Sequence, residues 1–233
     1  MLAIVLQGRL DSTRLAEKSM LPLGGKPLIF RVMQALNWVP AQMRVLACPE
    51  DSGSAFAPLA KEAGFELLAG PKEDVLARFC LALRRFRITR LIRATGDNPF
   101  VFTDAAGAIN TEAMSLDADY AGYCGLPLGA GVESVTAGAL LYAQTRELSS
   151  YEREHVCPFL YGHPELFRLH RPLAPLRWQD IYEEPAPGQT IRLTVDTQED
   201  YERAKELYAS LADGPSRFKG QAIINRYREL FLT

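Results

Sequence analysis

Leu2-Ala3-Ile4-Val5-Leu6 and, directly after it, Gln7-Gly8-Arg9-Leu10-Asp11-Ser12-Thr13-Arg14-Leu15-Ala16-Glu17-Lys18 form the stretch whose reading decides the fold. Five consecutive apolar residues read as a strand buried on both faces. They stop at once in a polar, basic loop that continues to Lys26. The apolar run has no basic leader and is too short for a signal or membrane-spanning segment. Pro27 then opens a helix through about Leu36, because proline suits the first helical turn.

The same alternation repeats downstream. Met43 to Cys48 reads as a strand, and Ala55 to Ala63 as a helix stopped by Gly64. Phe65 to Ala69 is a third strand and Glu73 to Phe86 an amphipathic helix. Thr89 to Ala94 is a fourth strand, running into the turn residues Thr95-Gly96-Asp97-Asn98-Pro99. Thr103 is placed to cap a helix through about Met114. Strands alternating with helices predict an α/β protein with a mostly parallel sheet and helices on both faces. In such sheets ligands bind beyond the carboxyl ends of the strands. The loops after the first and fourth strands are therefore the places to search.

The second half is less regular. Ala118 to Tyr123 and Glu133 to Thr136 read as strands, and Tyr151 to Tyr161 as one helix. Leu173 to Gly188 carries Pro175, Pro185 and Pro187 and reads as an excursion or dimer arm. Ile191 to Val195 reads as a strand ending in Asp196-Thr197, with helices at Glu199–Leu211 and Gln221–Leu230. No linker divides the chain, so residues 1–233 are expected to form a single domain with a sugar-side or dimerisation excursion around 118–190.

Of the 233 residues, 48% are hydrophobic and 23% charged, and the net charge is −2. That argues against general affinity for nucleic acid or an anionic membrane surface. Cys48, Cys80, Cys124 and Cys157 show neither a C-x-x-C pair nor zinc spacing, which suits reduced core cysteines of a cytoplasmic protein.

Arg9, Arg14 and Lys18 stand in the loop with Gly8, Ser12 and Thr13. Backbone N–H groups and hydroxyls that approach phosphate oxygens, with Arg and Lys to neutralise them, are what a triphosphate requires. The spacing is neither that of a P-loop nor that of a dinucleotide fingerprint. A solvated basic turn with ordinary surface ion pairs accounts for the same residues, and the position after the first strand weighs against it.

The loop, with Leu21-Pro22-Leu23-Gly24-Gly25-Lys26-Pro27-Leu28 after it, resembles the opening of the sugar cytidylyltransferases. That superfamily includes the 3-deoxy-manno-octulosonate and acylneuraminate enzymes. The likeness is greatest to the spore-coat-polysaccharide branch, where the pattern is roughly Q-A-R-x-x-S-T-R-L-P-G-K and then L-x-G-K-P-L. The chain departs at Gly8 and at Ala16-Glu17, which replace alanine and Pro-Gly. The resemblance implies a Rossmann-like nucleotide-diphospho-sugar transferase fold and a transfer of CMP from CTP to a sugar. It assigns Arg9, Arg14 and Lys18 to the phosphates and Gly8 and Ser12 to nucleotide binding.

Arg93-Ala94-Thr95-Gly96-Asp97-Asn98-Pro99 resembles the family's R-x-T-G-D-x-P, and Leu193-Thr194-Val195-Asp196-Thr197-Gln198-Glu199-Asp200 its L-T-V-D-T-x-E-D. In the family the first aspartate of each segment is a metal ligand. Mg²⁺ takes few protein carboxylates and fills its shell with water and phosphate oxygens. Two carboxylates on one such ion lie within roughly 4–6 Å of each other and repel without it, so that one pKa is expected to rise. Taken singly, Asp97 reads as a turn former and Asp196 as a helix N-cap, with Glu199 completing a capping box. Their joint occurrence favours metal.

Gly70-Pro71-Lys72-Glu73-Asp74-Val75-Leu76-Ala77-Arg78 resembles the family's G-x-x-x-D-V-L-x-R, implying that Asp74 and Arg78 lie beside the base. A helix N-terminus with acidic residues in its first turn explains them equally. Tyr151-Glu152-Arg153-Glu154-His155-Val156 resembles Y-x-R-E-H-V, implying that Arg153 and His155 lie on the sugar side. A structural histidine is the other reading of His155. Where the family has G-x-D-V-E, this chain has Gly129-Ala130-Gly131-Val132-Glu133, keeping Glu133 as a substrate candidate and losing the aspartate. Another nucleotide, or nucleotide binding without catalysis, remains open at this point. So does a homodimer.

Overall fold

Ala3, Ile4, Val5 and Leu6 are fully buried, and Leu2–Gln7 (β1) accordingly lies inside the sheet rather than at its edge. The computed structural model describes residues 1–12, 14–174 and 191–232. After β1 come a short hairpin of Pro22–Leu23 (β2) and Lys26–Pro27 (β3), then Leu28–Leu36 (α1), Met43–Pro49 (β4), Gly53–Ala63 (α2), Glu66–Gly70 (β5) and Val75–Phe86 (α3). Arg90–Thr95 (β6), Thr103–Ser115 (α4), Tyr120–Ala121 (β7), Glu133–Thr136 (β8) and Ala137–Gln144 (α5) follow. Ser150–His155 (α6), Pro158–Gly162 (α7), Leu169–His170 (β9), Gln198–Ser210 (α8) and Gly220–Phe231 (α9) complete the chain. No helix among the described residues is long and apolar enough to cross a membrane.

The sheet order is β5-β4-β1-β6-β8-β7-β9. β5, β4, β1 and β6 pair in parallel, β8 runs antiparallel to β6 and β7, and β9 is parallel to β7. The fold is therefore α/β with a mostly parallel sheet. Alternation along β1 feeds two cores. Ile4 and Leu6 pack with α1, α2, α4, α8 and α9, while Ala3 and Val5 pack with α3, α5 and α7. Burying one such aliphatic side chain is worth about 1.5–3 kcal/mol, and the two continuous cores fix the register of the strand ends. From β1 the chain moves to β4 on one side and later to β6 on the other. The crevice at this reversal is where ligands bind in open α/β sheets.

The structure differs from the sequence reading in several places. The helix expected over Tyr151–Tyr161 is two helices, α6 and α7: Val156 leaves the helical region, and Pro158, which lacks an N–H to extend the α6 ladder, opens α7. Thr103 does not cap α4; its buried hydroxyl donates to the Phe218 carbonyl at 3.0 Å. Ile191–Val195 is not a ladder strand and makes only an isolated bridge, Leu128 with Arg192. Its N–H groups go elsewhere, Leu193 to Leu128 and Val195 to Asp97. This close seating needs Gly129, whose φ is +93° and whose missing Cβ would lie 2.5 Å from the Thr194 nitrogen. The cap of α8 is Thr197 with Asp200 completing the box, not Asp196 with Glu199. Helix α5 and strand β9 were not expected. The excursion expected over Leu173–Gly188 lies, from residue 175 on, outside the described residues.

Candidate active site

The carboxyl ends of β1 and β6 and the amino end of β8 meet at one edge of the sheet. Gly8 closes β1 tightly against α1, since a Cβ there would lie 2.5 Å from Ile29 Cδ1. The loop then returns on Glu17, whose φ of 48° is left-handed, and enters a 3-10 turn at Lys18–Met20. That backbone conformation suits the glycine that the resembling pattern carries at this position. The turn is thus retained although Pro-Gly is not.

Lys18 Nζ donates to three acceptors: Asp97 Oδ2 at 3.0 Å, Asp196 Oδ1 at 2.9 Å and the Val195 carbonyl at 3.0 Å. Its side chain is 13% exposed. Because both carboxylates contact one nitrogen atom, those two oxygens lie within about 6 Å of each other. Arg14 Nη2 also donates to Asp196 Oδ1, at 2.9 Å. The expected rise is reversed at Asp97. Burial works to raise Asp97, but the Lys18 ammonium and the Thr95 hydroxyl outweigh it and hold the carboxyl below its usual range. A lysine that the sequence reading aimed at phosphate sits between the carboxylates instead, and that is why their charges are tolerated.

These groups border a cleft of about 250 Å³ lined by Gln7, Gly8, Arg9, Ser12, Arg14, Lys18, Ser19, Val75, Arg78, Arg93, Thr95, Gly96, Asp97, Glu154 and His155. Arg9 is exposed and faces Glu154 at 3.5 Å. Thr13 lies outside the described residues. Arg78 is buried; its Nη1 donates to the carbonyls of Pro71 and Lys72, and its Nε has no partner. Burial pushes this guanidinium below its ordinary value. His155 stacks on Tyr151 with ring centroids 4.3 Å apart. Just beyond it Val156 adopts φ 70°, ψ −53°, and Cys157 N–H bonds the His155 carbonyl at 2.8 Å. This is a γ-turn on a β-branched residue, a strained arrangement that turns α6 away over the cleft.

Four candidates, Asp196, Asp74, Arg153 and Glu133, are not among the lining residues; Asp196 is buried just behind Lys18 and Arg14, which are. Asp74 caps α3 by accepting the Ala77 N–H at 2.8 Å, and its other oxygen accepts Arg153 Nη1 at 2.8 Å. That contact turns Arg153 from the expected sugar side to a tie between α6 and α3. Glu133 accepts from Arg93 Nη1 and from the Tyr120 hydroxyl at 2.8 Å. In each case a neighbouring opposite charge or open helix terminus takes the group. Gly131 is exposed, and a Cβ there would only touch Leu126 at 3.4 Å, so the missing aspartate is not excluded by space.

Three residues without a role in the sequence reading prove central. Arg93 lines the cleft floor, held by Glu133 and by Gln7 Oε1, which accepts from its Nη2 at 2.9 Å. Burial opposes its charge, and the Glu133 carboxylate more than restores it. A charged residue inside the buried run of β6 was the available signal. Arg192 and Asp200 lie behind Asp196; Arg192 Nη2 donates to Asp196 Oδ2 at 2.6 Å and its Nε to Asp200 Oδ1 at 3.0 Å.

Chemically, the edge offers a cluster of guanidinium and ammonium groups for a polyanion and two carboxylate oxygens close together. Among the described residues no three His, Cys, Asp or Glu side chains gather as a protein metal cage. Two carboxylates suit a Mg²⁺-type ion that takes its remaining ligands from water and phosphate. Comparison with known proteins bears on the fold and the family. The pattern of the family described as Cytidylyltransferase matches residues 3–224. The spore coat polysaccharide biosynthesis protein SpsF of Bacillus subtilis (strain 168) is 31% identical over 218 residues, 91% of this chain and 88% of that protein. A cytidylyltransferase from Leptospira borgpetersenii serovar Hardjo-bovis (strain JB197) has a TM-score of 0.83 at 22% identity, over 98% of this chain and 94% of that one. A CMP:2-keto-3-deoxy-manno-octonic acid synthetase complexed with CTP has a TM-score of 0.65 at 14% identity, over 89% and 98%. Those two structures share the fold, the match over residues 3–224 and the identity to SpsF extend the likeness to sequence, and the chain belongs to the cytidylyltransferase family.

Proposed function

We propose that the protein transfers CMP from CTP to a sugar hydroxyl, with Mg²⁺, in the cytoplasm, making an activated sugar for polysaccharide or glycolipid synthesis. The observation that carries this reading is the meeting of Arg14, Lys18, Asp97 and Asp196 at the sheet edge. The sugar oxygen attacks the α-phosphorus; a P–O bond forms, the bond to the β-phosphate oxygen breaks, and pyrophosphate leaves. The hydroxyl proton passes to solvent. Little covalent chemistry is asked of the side chains, which align the groups and neutralise charge. Arg9, Arg14 and Lys18 neutralise the triphosphate. Lys18 would give up the carboxylates for this, Asp97 and Asp196 would then be free to hold the cation, and its charge would favour the ionised sugar oxygen. Arg78 shapes the turn after β5 by holding two of its carbonyls. Gly8 and Ser12 border the nucleotide. Arg93 and His155 line the acceptor end, with Glu133 positioning Arg93, and Asp74 and Arg153 tying α3 to α6.

The test is pyrophosphate release with CTP, UTP, GTP and ATP against free sugar acids and sugar phosphates, with and without Mg²⁺. Release with CTP and one sugar class, dependent on Mg²⁺, is expected. Release only with another triphosphate reassigns the nucleotide. Tight binding without release across the panel contradicts catalysis, the outcome that the missing aspartate at Gly131 would favour.

A further inference from the structure

We propose that Arg192, anchored by Asp200, is a positioning residue that decides which oxygen of Asp196 faces Lys18 and Arg14; this rests on the reading of Asp196 as a cation ligand. The Asp196 carboxylate is divided between two sets of partners. Its Oδ1 receives Arg14 and Lys18 at 2.9 Å each, on the cleft side. Its Oδ2 receives Arg192 Nη2 at 2.6 Å, from four residues earlier in the chain. A carboxylate pinned at one oxygen by a charged hydrogen bond presents the other along a fixed line and does not swing to chelate with both.

Arg192 is itself fixed. Its Nε bonds Asp200 Oδ1 at 3.0 Å, and its backbone bridges to Leu128. The Asp200 side chain is 2% exposed, and its Oδ2 accepts the backbone N–H groups of Asp196 and Thr197, both at 3.0 Å. One buried carboxylate thus holds the main chain of Asp196 directly and its side chain through Arg192. The task needs arginine. Two N–H groups of one planar guanidinium address two carboxylates at once, whereas an ammonium is a single point charge. Arg203 supplies an internal control, since it donates to the same Asp200 oxygen at 3.1 Å and to Glu199 but makes no bond to Asp196.

The experiment measures Mn²⁺ affinity by electron paramagnetic resonance in the presence of CTP, for wild type, Arg192→Met, Arg192→Lys and Arg203→Met, with melting temperatures alongside. Arg192→Met is expected to weaken Mn²⁺ binding about 10–100-fold, as loss of a residue that orients a metal ligand does. Its kcat should fall in step, and KM for CTP should rise no further than to its value without metal. Arg192→Lys should lie between the two. Arg203→Met should lower the melting temperature and leave Mn²⁺ affinity within about twofold of wild type. If Arg192→Met does not fold, the lysine variant carries the test, and wild-type affinity in it overturns the proposal. Wild-type affinity in Arg192→Met, or an equal loss in Arg203→Met, also overturns it while leaving the metal reading intact. A wild-type protein that binds no Mn²⁺ with CTP overturns the metal reading itself, and this proposal with it.

Discussion

On the loop side of the cleft, a single nitrogen of Lys18 gathers Asp97 and Asp196, groups separated by almost a hundred residues of chain. On the α6 side, the charges are paired off among themselves: Arg153 with Asp74 and Arg93 with Glu133. The first arrangement concentrates opposite charges at one point where an incoming polyanion and cation can replace the internal partners. The second distributes charge into ties between neighbouring elements, α6 to α3 and β6 to β8. A ligand gains from opening the first and has little to gain from opening the second. The two sides should therefore respond differently to substitution.

The largest effect is expected from Lys18→Ala. Turnover should fall about 10²–10³-fold, the scale of losing one donor to transition-state charge. The metal-free protein should also be less stable, because Asp97 and Asp196 are left facing each other without their shared cation. Near-normal turnover would break the comparison at its strong end. Asp97→Asn should abolish divalent-ion dependence and, in metal-free protein, cost stability in a pH-dependent way. Because the folded carboxyl lies below its ordinary value, its contribution is full above the ordinary carboxylate range and is lost as pH falls through the folded value. Thermal melts in chelator should show the gap between wild type and Asp97→Asn constant above about pH 5 and narrowing as the pH falls below it.

The α6 side should answer mainly in stability. Asp74→Ala removes the cap of α3 and frees Arg153, and should cost about 1 kcal/mol, the usual worth of an N-cap, with turnover changed only a few-fold. A loss of turnover as great as that of Lys18→Ala would mean that Asp74 faces the nucleotide after all. The smallest effect is expected at Glu17→Gly. Glycine relieves the left-handed backbone and adds freedom to the unfolded chain, so denaturant midpoints should move by no more than about 1 kcal/mol equivalent.

The same contrast governed what was legible. Strands buried on both faces announce themselves as apolar runs, so β1, β4 and β6 and the helices between them were readable, and with them the edge where the site lies. At the antiparallel end β8 was read at its own bounds and β7 within a longer expected strand, but β9, two residues long, and α5, which carries apolar residues on all sides rather than on one stripe, were not. Within the site, the resemblance to the family pattern singled out Lys18, Asp97 and Asp196. Their mutual contact was hidden, because a side chain's partner is set by packing rather than by sequence distance. For the same reason Asp74, Glu133 and Arg153 looked like substrate groups, although each finds its opposite charge on a neighbouring element. Arg192 was hidden in a segment that reads as a strand but spends its hydrogen bonds on the loops around Asp97 and Leu128.

The measurement that tests the account most directly is a calorimetric titration of CTP into the wild-type protein with and without Mg²⁺. If Lys18 leaves the carboxylates for the triphosphate, the vacated oxygens take the cation, and the two ligands must favour each other. The account predicts that Mg²⁺ alone binds weakly against Lys18, that CTP alone binds measurably, and that each strengthens the other at least about fivefold. CTP affinity indifferent to Mg²⁺, or Mg²⁺ bound as well without nucleotide as with it, would contradict it.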